Sequence, residues 1–138
     1  MKSREINSLF KNLSKEIKNP KSDLKYKNKF TLLVSVVLSA QCTDVNVNNV
    51  TKNIYPKYNK PKHFLKLGRK RIEKLIKSIG LFRNKAKSIY LLSKQLIEIH
   101  NGKVPKDFNN LCALPGVGKK TASVVLNEGF GMPTIAVD

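Results

Sequence analysis

Residues 114–126 read LPGVGKKTASVVL, and this stretch indicates the kind of fold that the chain forms. Gly116 and Gly118 predict a tight turn between two helices, because glycine has no Cβ to oppose a sharp bend. The apolar run after the turn predicts a helix from Lys119 to about Glu128, whose first N–H groups lack partners inside the helix. Such groups bind a phosphate without contacting bases. The stretch therefore predicts a phosphate site at a glycine turn between two helices, although purely structural helix connections use similar turns.

Two lysines follow the hairpin, and helical phase predicts different surroundings for them. Lys119 shares a stripe with Ser123 and Asn127 and is expected to face solvent or phosphate, whereas Lys120 lies beside Val124 and borders the core. The positive end of the helix dipole and partial desolvation are both expected to favour a neutral, nucleophilic amine at Lys120. The alternative is that both lysines are simply solvated.

The last residue, Asp138, supplies a carboxylate that can return to the start of this helix. The helix that begins at Lys119 rises roughly 15 Å. After the turn-forming sequence GFGMP at 129–133, the remaining extended chain returns roughly 16 Å. The carboxylate can therefore reach Lys120, where it would stabilise developing positive charge or help to move protons. The alternative is an aspartate N-cap for a following helix.

Composition favours one globular domain with a polyanionic partner. The 138 residues include 27 Lys+Arg and 9 Asp+Glu, a formal net charge of +18. This balance fits nucleic acid or an anionic membrane surface, although an AT-rich coding sequence also produces many lysines. No apolar run approaches a membrane span and no secretory segment is present, so a cytoplasmic, nucleoid-associated protein is expected. Cys42 and Cys112 are isolated, which predicts free thiols rather than a disulfide scaffold or a CxxC metal site.

Hydrophobic periodicity predicts an all-α, compact multi-helix bundle. Helices are predicted at 6–17, 30–40, 44–55, 61–67, 70–78, 84–100, 107–113 and 119–128. The β-branched residues within 31–37 leave a strand as the alternative for that segment. No repeat or linker divides the chain.

Three segments of the chain together resemble the bacterial endonuclease III family of helix-hairpin-helix DNA glycosylases: residues 114–138, LSAQCTD at 38–44 and IGL at 79–81. In that family a lysine after the hairpin attacks C1′ of a damaged pyrimidine nucleotide, expels the base, forms a Schiff base and drives β-elimination 3′ to the abasic site. Lys120 matches that lysine, and Asp138 matches the catalytic aspartate. The resemblance implies a bifunctional DNA N-glycosylase and abasic-site lyase that repairs oxidised pyrimidines by base excision.

The resemblance also implies the DNA contacts. The hairpin residues that hold a phosphate are then Gly116, Val117, Gly118 and Lys119. Gln41 and Leu81 match residues that fill the gap left by the extruded nucleotide and wedge the opposite strand, which offsets the unstacking cost. Taken alone, Gln41 is a helix-terminal amide that caps backbone groups and Leu81 is a core leucine. The implied partner is double-stranded DNA with a damaged pyrimidine or an abasic site, bound by a monomer and without a membrane.

Family members continue beyond the position that matches Asp138 and commonly supply four cysteines for a [4Fe-4S] cluster. This chain encodes no metal site of that kind, so the cluster is expected only in a full-length form. The expected organisation is an N-terminal helix in 1–20, a helical glycosylase domain in 21–132 with the helix-hairpin-helix at about 107–128, and the start of an incomplete iron-sulfur domain in 133–138. A truncated chain of this kind is expected to be weakly active or inactive by itself.

Other functions fit parts of the pattern. A non-catalytic helix-hairpin-helix DNA-binding module would use only the hairpin. A basic peripheral membrane protein fits the charge, but the chain lacks a lysine-rich amphipathic helix with a wide apolar face. A monofunctional purine glycosylase of the same superfamily is a nearer alternative, and such enzymes usually lack a lysine at the position of Lys120.

Overall fold

The computed structural model describes residues 22–132, and every regular element in that range is an α-helix. The helices are α1 Lys29–Leu38, α2 Asp44–Thr51, α3 Pro61–Leu75, α4 Phe82–His100, α5 Phe108–Cys112 and α6 Lys119–Phe130. The all-α prediction is confirmed for this part of the chain. The predicted helix at 6–17 and the segment 133–138 lie outside the described residues, so the proposed domain boundaries stay predictions.

Helix α1 is the central core helix. Asn28 caps its N-terminus by accepting a hydrogen bond from Thr31 N at 2.8 Å, and the Thr31 hydroxyl accepts one from Asn28 N at 2.9 Å. This capping box satisfies two backbone donors at the point where the helix starts. Residues 30–38 are all buried, and α1 packs against α2, α4 and α6. The alternative of a strand at 31–37 is therefore wrong, because local capping and burial on all sides override the β-branched side chains.

Several predicted helix boundaries shift by a few residues. Helix α2 ends at Thr51, four positions before the predicted end, and 52–57 form turns. The two helices predicted at 61–67 and 70–78 are the halves of α3, which bends at Gly68 (φ 80°, ψ 162°) and ends at Leu75. Helices α4 and α6 are each two residues longer than predicted, at their N-terminal and C-terminal ends respectively.

A buried tyrosine joins the turn after α2 to α1. Tyr55 is 4% exposed, its hydroxyl donates to Thr31 O at 3.0 Å, and it shares a hydrogen bond with Ser35 Oγ at 2.5 Å. Burial raises the pKa of Tyr55 well above its ordinary value of 10.0, and the Ser35 hydrogen bond offsets only part of this change. The folded state therefore keeps the phenol neutral at pH values that ionise it in the unfolded chain.

This environment makes the stability of the protein sensitive to alkaline pH. Below the unfolded pKa of Tyr55, about 10, its contribution is fully present; it is lost as pH rises beyond that value, because only the unfolded state releases the proton. We expect Tyr55→Phe to lower the free energy of unfolding by about 1–2 kcal/mol at neutral pH. The difference in the free energy of unfolding between Tyr55→Phe and the wild type should narrow above pH 10, as measured by urea denaturation. A gap that stays constant across this range would contradict the assignment.

Candidate nucleic-acid interface

One face of helix α4 connects the three regions that the sequence predicts to touch DNA. Lys85 and Ser88 are spaced i and i+3, so they lie on one side of α4, and Leu81 is the N-cap one turn before Lys85. Leu81 is itself a predicted wedge, Lys85 contacts the segment that precedes Gln41, and Ser88 lies against the glycine hairpin at Gly116. The structure therefore brings these predicted residues to the same end of α4.

Leu81 projects from the tip of the turn between α3 and α4. It is the N-cap of α4, has a left-handed backbone (φ 60°, ψ 34°), and leaves 55% of its surface exposed. A left-handed backbone is uncommon for a branched, non-glycine residue, and an exposed leucine there gains nothing from the core. The alternative of a core leucine is wrong, and this position suits a side chain that inserts into another molecule.

Gln41 lies just beyond the C-terminus of α1 and also has a left-handed backbone, with φ 56°. Gln41 is exposed. Lys85 of α4 binds the peptide groups that precede Gln41, because its Nζ donates to Leu38 O at 3.0 Å and to Ala40 O at 2.6 Å.

Lys85 is itself an unusual residue for this position, because only 6% of it is exposed. Burial lowers the pKa of Lys85, and the nearby Cys42 acts in the opposite direction. Its ammonium lies at the C-terminal end of α1, where the helix dipole and unpaired carbonyl groups favour a cation. The buried charge is therefore matched by its surroundings rather than left unpaired.

The glycine hairpin is anchored on its inner side and open on its outer side. Val117 is 6% exposed and its N–H donates to Leu114 O at 3.1 Å. Gly116 and Gly118 are both exposed, and Gly116 has a φ of 79°. Val117 is therefore placed to fix the turn through its side chain, while the glycine backbone is the part that a phosphate can approach.

Lys119 and Lys120 both begin α6 and are both exposed. Within the described residues Lys120 is exposed, so the expectation that it borders the core is wrong. The face of α6 that packs inward carries Ala122, Ser123, Val125 and Leu126. Ser123 is thus buried, although helical phase had placed it with Lys119 on the solvent side. Burial consequently does not distinguish the two lysines, and the choice of Lys120 rests on the family resemblance.

The remaining predicted catalytic residue, Asp138, lies outside the described residues.

The side chains of this chain do not fit a [4Fe-4S] cluster, which takes four cysteine ligands. The sequence has two cysteines, and Cys42 and Cys112 are both free thiols. Within residues 22–132, no three His, Cys, Asp or Glu side chains are grouped to bind a metal ion. Across the same residues, no helix is long and apolar enough to cross a membrane.

In residues 22–132 the glycine hairpin joins two helices, α5 and α6, which is the arrangement called helix-hairpin-helix. A family model described as HhH-GPD superfamily base excision DNA repair protein matches residues 34–138. The chain belongs to this superfamily, and the resemblance to endonuclease III is confirmed.

Similar proteins and structures support the same family. The chain is 54% identical over 138 residues to endonuclease III of Rickettsia conorii, covering 100% of this chain and 66% of that protein. It is 51% identical over 120 residues to endonuclease III of Escherichia coli K12, covering 87% and 57%. A trapped endonuclease III–DNA covalent intermediate superposes with a TM-score of 0.82 at 45% identity, covering 98% of this chain and 60% of that one. The chain thus spans less than two thirds of the length of these relatives.

Sequence reasoning missed two residues of this interface, Lys85 and Ser88. A lysine in an amphipathic helix normally indicates a solvated face, and a serine there carries little information. The available signal was their spacing of three residues, which places both on one face of α4 within two turns of Leu81.

Proposed function

We propose that this chain carries the DNA-binding hairpin and the nucleophile of a DNA N-glycosylase with abasic-site lyase activity, which acts on oxidised pyrimidines in double-stranded DNA. The observation that supports it most is the shared face of α4. Around that face lie the exposed Leu81, the segment 38–41 that ends at Gln41, called here the Gln41 segment, and the hairpin that precedes Lys120. A protein that attacks C1′ needs these parts together, because the nucleotide must leave the DNA duplex while the sugar-phosphate backbone is held.

The proposed reaction begins when hairpin N–H groups and Lys119 hold the DNA backbone and Leu81 and Gln41 occupy the space of the extruded nucleotide. After the amine of Lys120 has given up a proton, its nitrogen attacks C1′, the bond from C1′ to the base breaks, and the base leaves with the bonding electrons and takes up a proton. Opening of the sugar ring converts the new C1′–N bond to a Schiff base. Loss of a proton from C2′ then forms a C2′–C3′ double bond and breaks the C3′–O bond, and the phosphate leaves with the bonding electrons as the 5′ end of the downstream strand, which is the lyase step.

Asp138 is proposed as the carboxylate that stabilises positive charge on the sugar or helps to move these protons. We propose that the protein acts as a monomer where the DNA is, at the nucleoid. The relatives are longer than this chain, and a [4Fe-4S] cluster is proposed only for a longer form whose added residues supply the four cysteines. We propose that residues 1–138 alone react more weakly than a whole relative.

Borohydride trapping tests the proposal. The protein as its gene encodes it should form a covalent complex with duplex DNA that contains one abasic site, because borohydride reduces the Schiff base to a stable amine. Undamaged duplex should give no covalent complex. The protein should still bind it non-covalently and in a salt-sensitive manner, since lysines displace counterions from phosphate. Salt-sensitive binding with no trapping would instead identify a non-catalytic DNA-binding module. Stronger binding to anionic vesicles than to duplex would identify a membrane protein.

A further inference from the structure

The two exposed residues that the proposed function places inside the duplex share a strained backbone. Gln41 and Leu81 are two of the three non-glycine residues with positive φ in residues 22–132, at 56° and 60°. Residues held in this region persist only where their surroundings enforce it. The left-handed backbone of Leu81 is stabilised in part by the start of α4, because the Leu81 carbonyl accepts a hydrogen bond from Lys85 N at 3.0 Å.

The side chain of the same lysine acts on the other strained residue. Lys85 Nζ donates to Ala40 O at 2.6 Å, and the Ala40 carbonyl belongs to the peptide group that also contains the Gln41 nitrogen. The orientation of that peptide plane about the N–Cα bond of Gln41 is its φ angle. A second hydrogen bond, to Leu38 O at 3.0 Å, fixes the ammonium against the end of α1. Because these bonds are charge-assisted and shielded from water, they are stronger than neutral ones.

We infer that Lys85 is a positioning residue that holds the Gln41 backbone in its left-handed conformation and fixes Gln41 and Leu81 relative to each other. Through its N–H and its ammonium, this residue links both insertion sites to one turn of α4. The two side chains then enter the duplex as one rigid unit, which lowers the entropic cost of extruding the nucleotide. The link to extrusion rests on the proposed function, whereas the effect on the backbone does not.

Hydrogen exchange tests the positioning without any need for activity. Lys85→Met keeps the apolar stem and removes the ammonium, and Lys87→Met removes an exposed lysine from the same helix as a matched control. In Lys85→Met we expect the Cys42 amide, which donates to Ser39 O at 3.0 Å, to exchange at least about tenfold faster relative to the Ala122 amide in α6. Lys87→Met should leave this ratio unchanged. An unchanged ratio in Lys85→Met overturns the inference.

Kinetics with two substrates tests the link to extrusion. Single-turnover base excision is compared on a lesion paired with a normal base and on a lesion that faces a baseless sugar analogue, where less stacking opposes extrusion. Lys85→Met is expected to slow the paired substrate by about tenfold more than the unpaired one. Because each comparison is made within one variant, a loss of folded protein cancels from the ratio. Equal slowing on both substrates would show a merely structural role and overturn the inference.

Two further measurements separate the possible failures. If Lys85→Met does not fold, Lys85→Gln replaces it, because its shorter side chain cannot span both carbonyl groups, and the same two ratios must change. If the wild type excises no base from either substrate, the proposed function fails, and the hydrogen-exchange ratio still decides whether Lys85 holds the Gln41 backbone.

Discussion

Lys120→Ala is expected to abolish borohydride trapping on abasic DNA, with a loss of roughly 10⁴-fold or more in the rate of covalent complex formation. The expectation follows from the chemistry, because the nitrogen of the nucleophile becomes the nitrogen of the Schiff base and alanine has no side-chain nitrogen. Binding to abasic duplex should fall much less, since one exposed lysine is a small part of a formal charge of +18. Trapping and binding are measured on the same preparation by gel analysis and by fluorescence anisotropy.

Lys119→Ala is the matched control, because Lys119 is adjacent in sequence, begins the same helix and is also exposed. We expect it to weaken DNA binding, to reduce the slope of log K against log salt by about one, and to trap normally at saturating DNA. The control is essential because burial does not distinguish the two lysines. Normal trapping by Lys120→Ala together with loss of trapping by Lys119→Ala would exchange their roles.

Gly116→Ala is expected to lower the free energy of unfolding by roughly 2–4 kcal/mol and to weaken DNA binding. A Cβ at Gly116 would lie 2.5 Å from Ser88 Cβ and 2.7 Å from Ser88 Oγ. The φ of 79° adds a second cost, since alanine disfavours this region. Either the hairpin moves away from α4 or α4 bends, and both displace the phosphate site from Leu81. Urea denaturation followed by circular dichroism measures the first effect.

Gly118→Ala is the control for the hairpin, because Gly118 has a φ of −94° and nothing beyond its own chain neighbours lies within 4 Å of an added Cβ. Its effect on stability should stay within about 0.5 kcal/mol. A second test repeats Gly116→Ala in a Ser88→Gly background, where the overlap is gone but the φ cost remains. The cost of Gly116→Ala should fall there by at least about 1 kcal/mol. An equal cost in both backgrounds would show that Ser88 does not support the hairpin.

The elements that could be predicted are those in which local and tertiary preferences agree. The short helix α5 matches its prediction closely, since Asp107 caps it by accepting from Asn110 N at 2.8 Å, as its sequence position suggests. The glycine turn and the all-α fold were predicted for the same reason. The error at α2 lies at its C-terminus, where no glycine or capping residue marks the end and 52–57 continue as turns.

The candidate site was predictable in its residue types but not in its surroundings. Exposure at α6 depends on which neighbours cover each face, and helical phase alone placed Lys120 and Ser123 wrongly by assigning the core to the wrong stripe. Lys85 was missed for a related reason. A lysine is ordinarily solvated, and only two carbonyl groups more than forty residues away, at Leu38 and Ala40, make its burial favourable.

The sequence by itself therefore determined the helical architecture and the glycine hairpin, because turns, caps and apolar periodicity act over a few residues. Its motifs at 38–44, 79–81 and 114–138 carry the resemblance to the endonuclease III family. The tertiary structure alone determined that α4 unites Leu81, the Gln41 segment and the hairpin on one face. It also determined the left-handed backbone of Gln41 and the burial of Lys85. These features depend on contacts between residues far apart in the chain, whose free energy no local pattern contains.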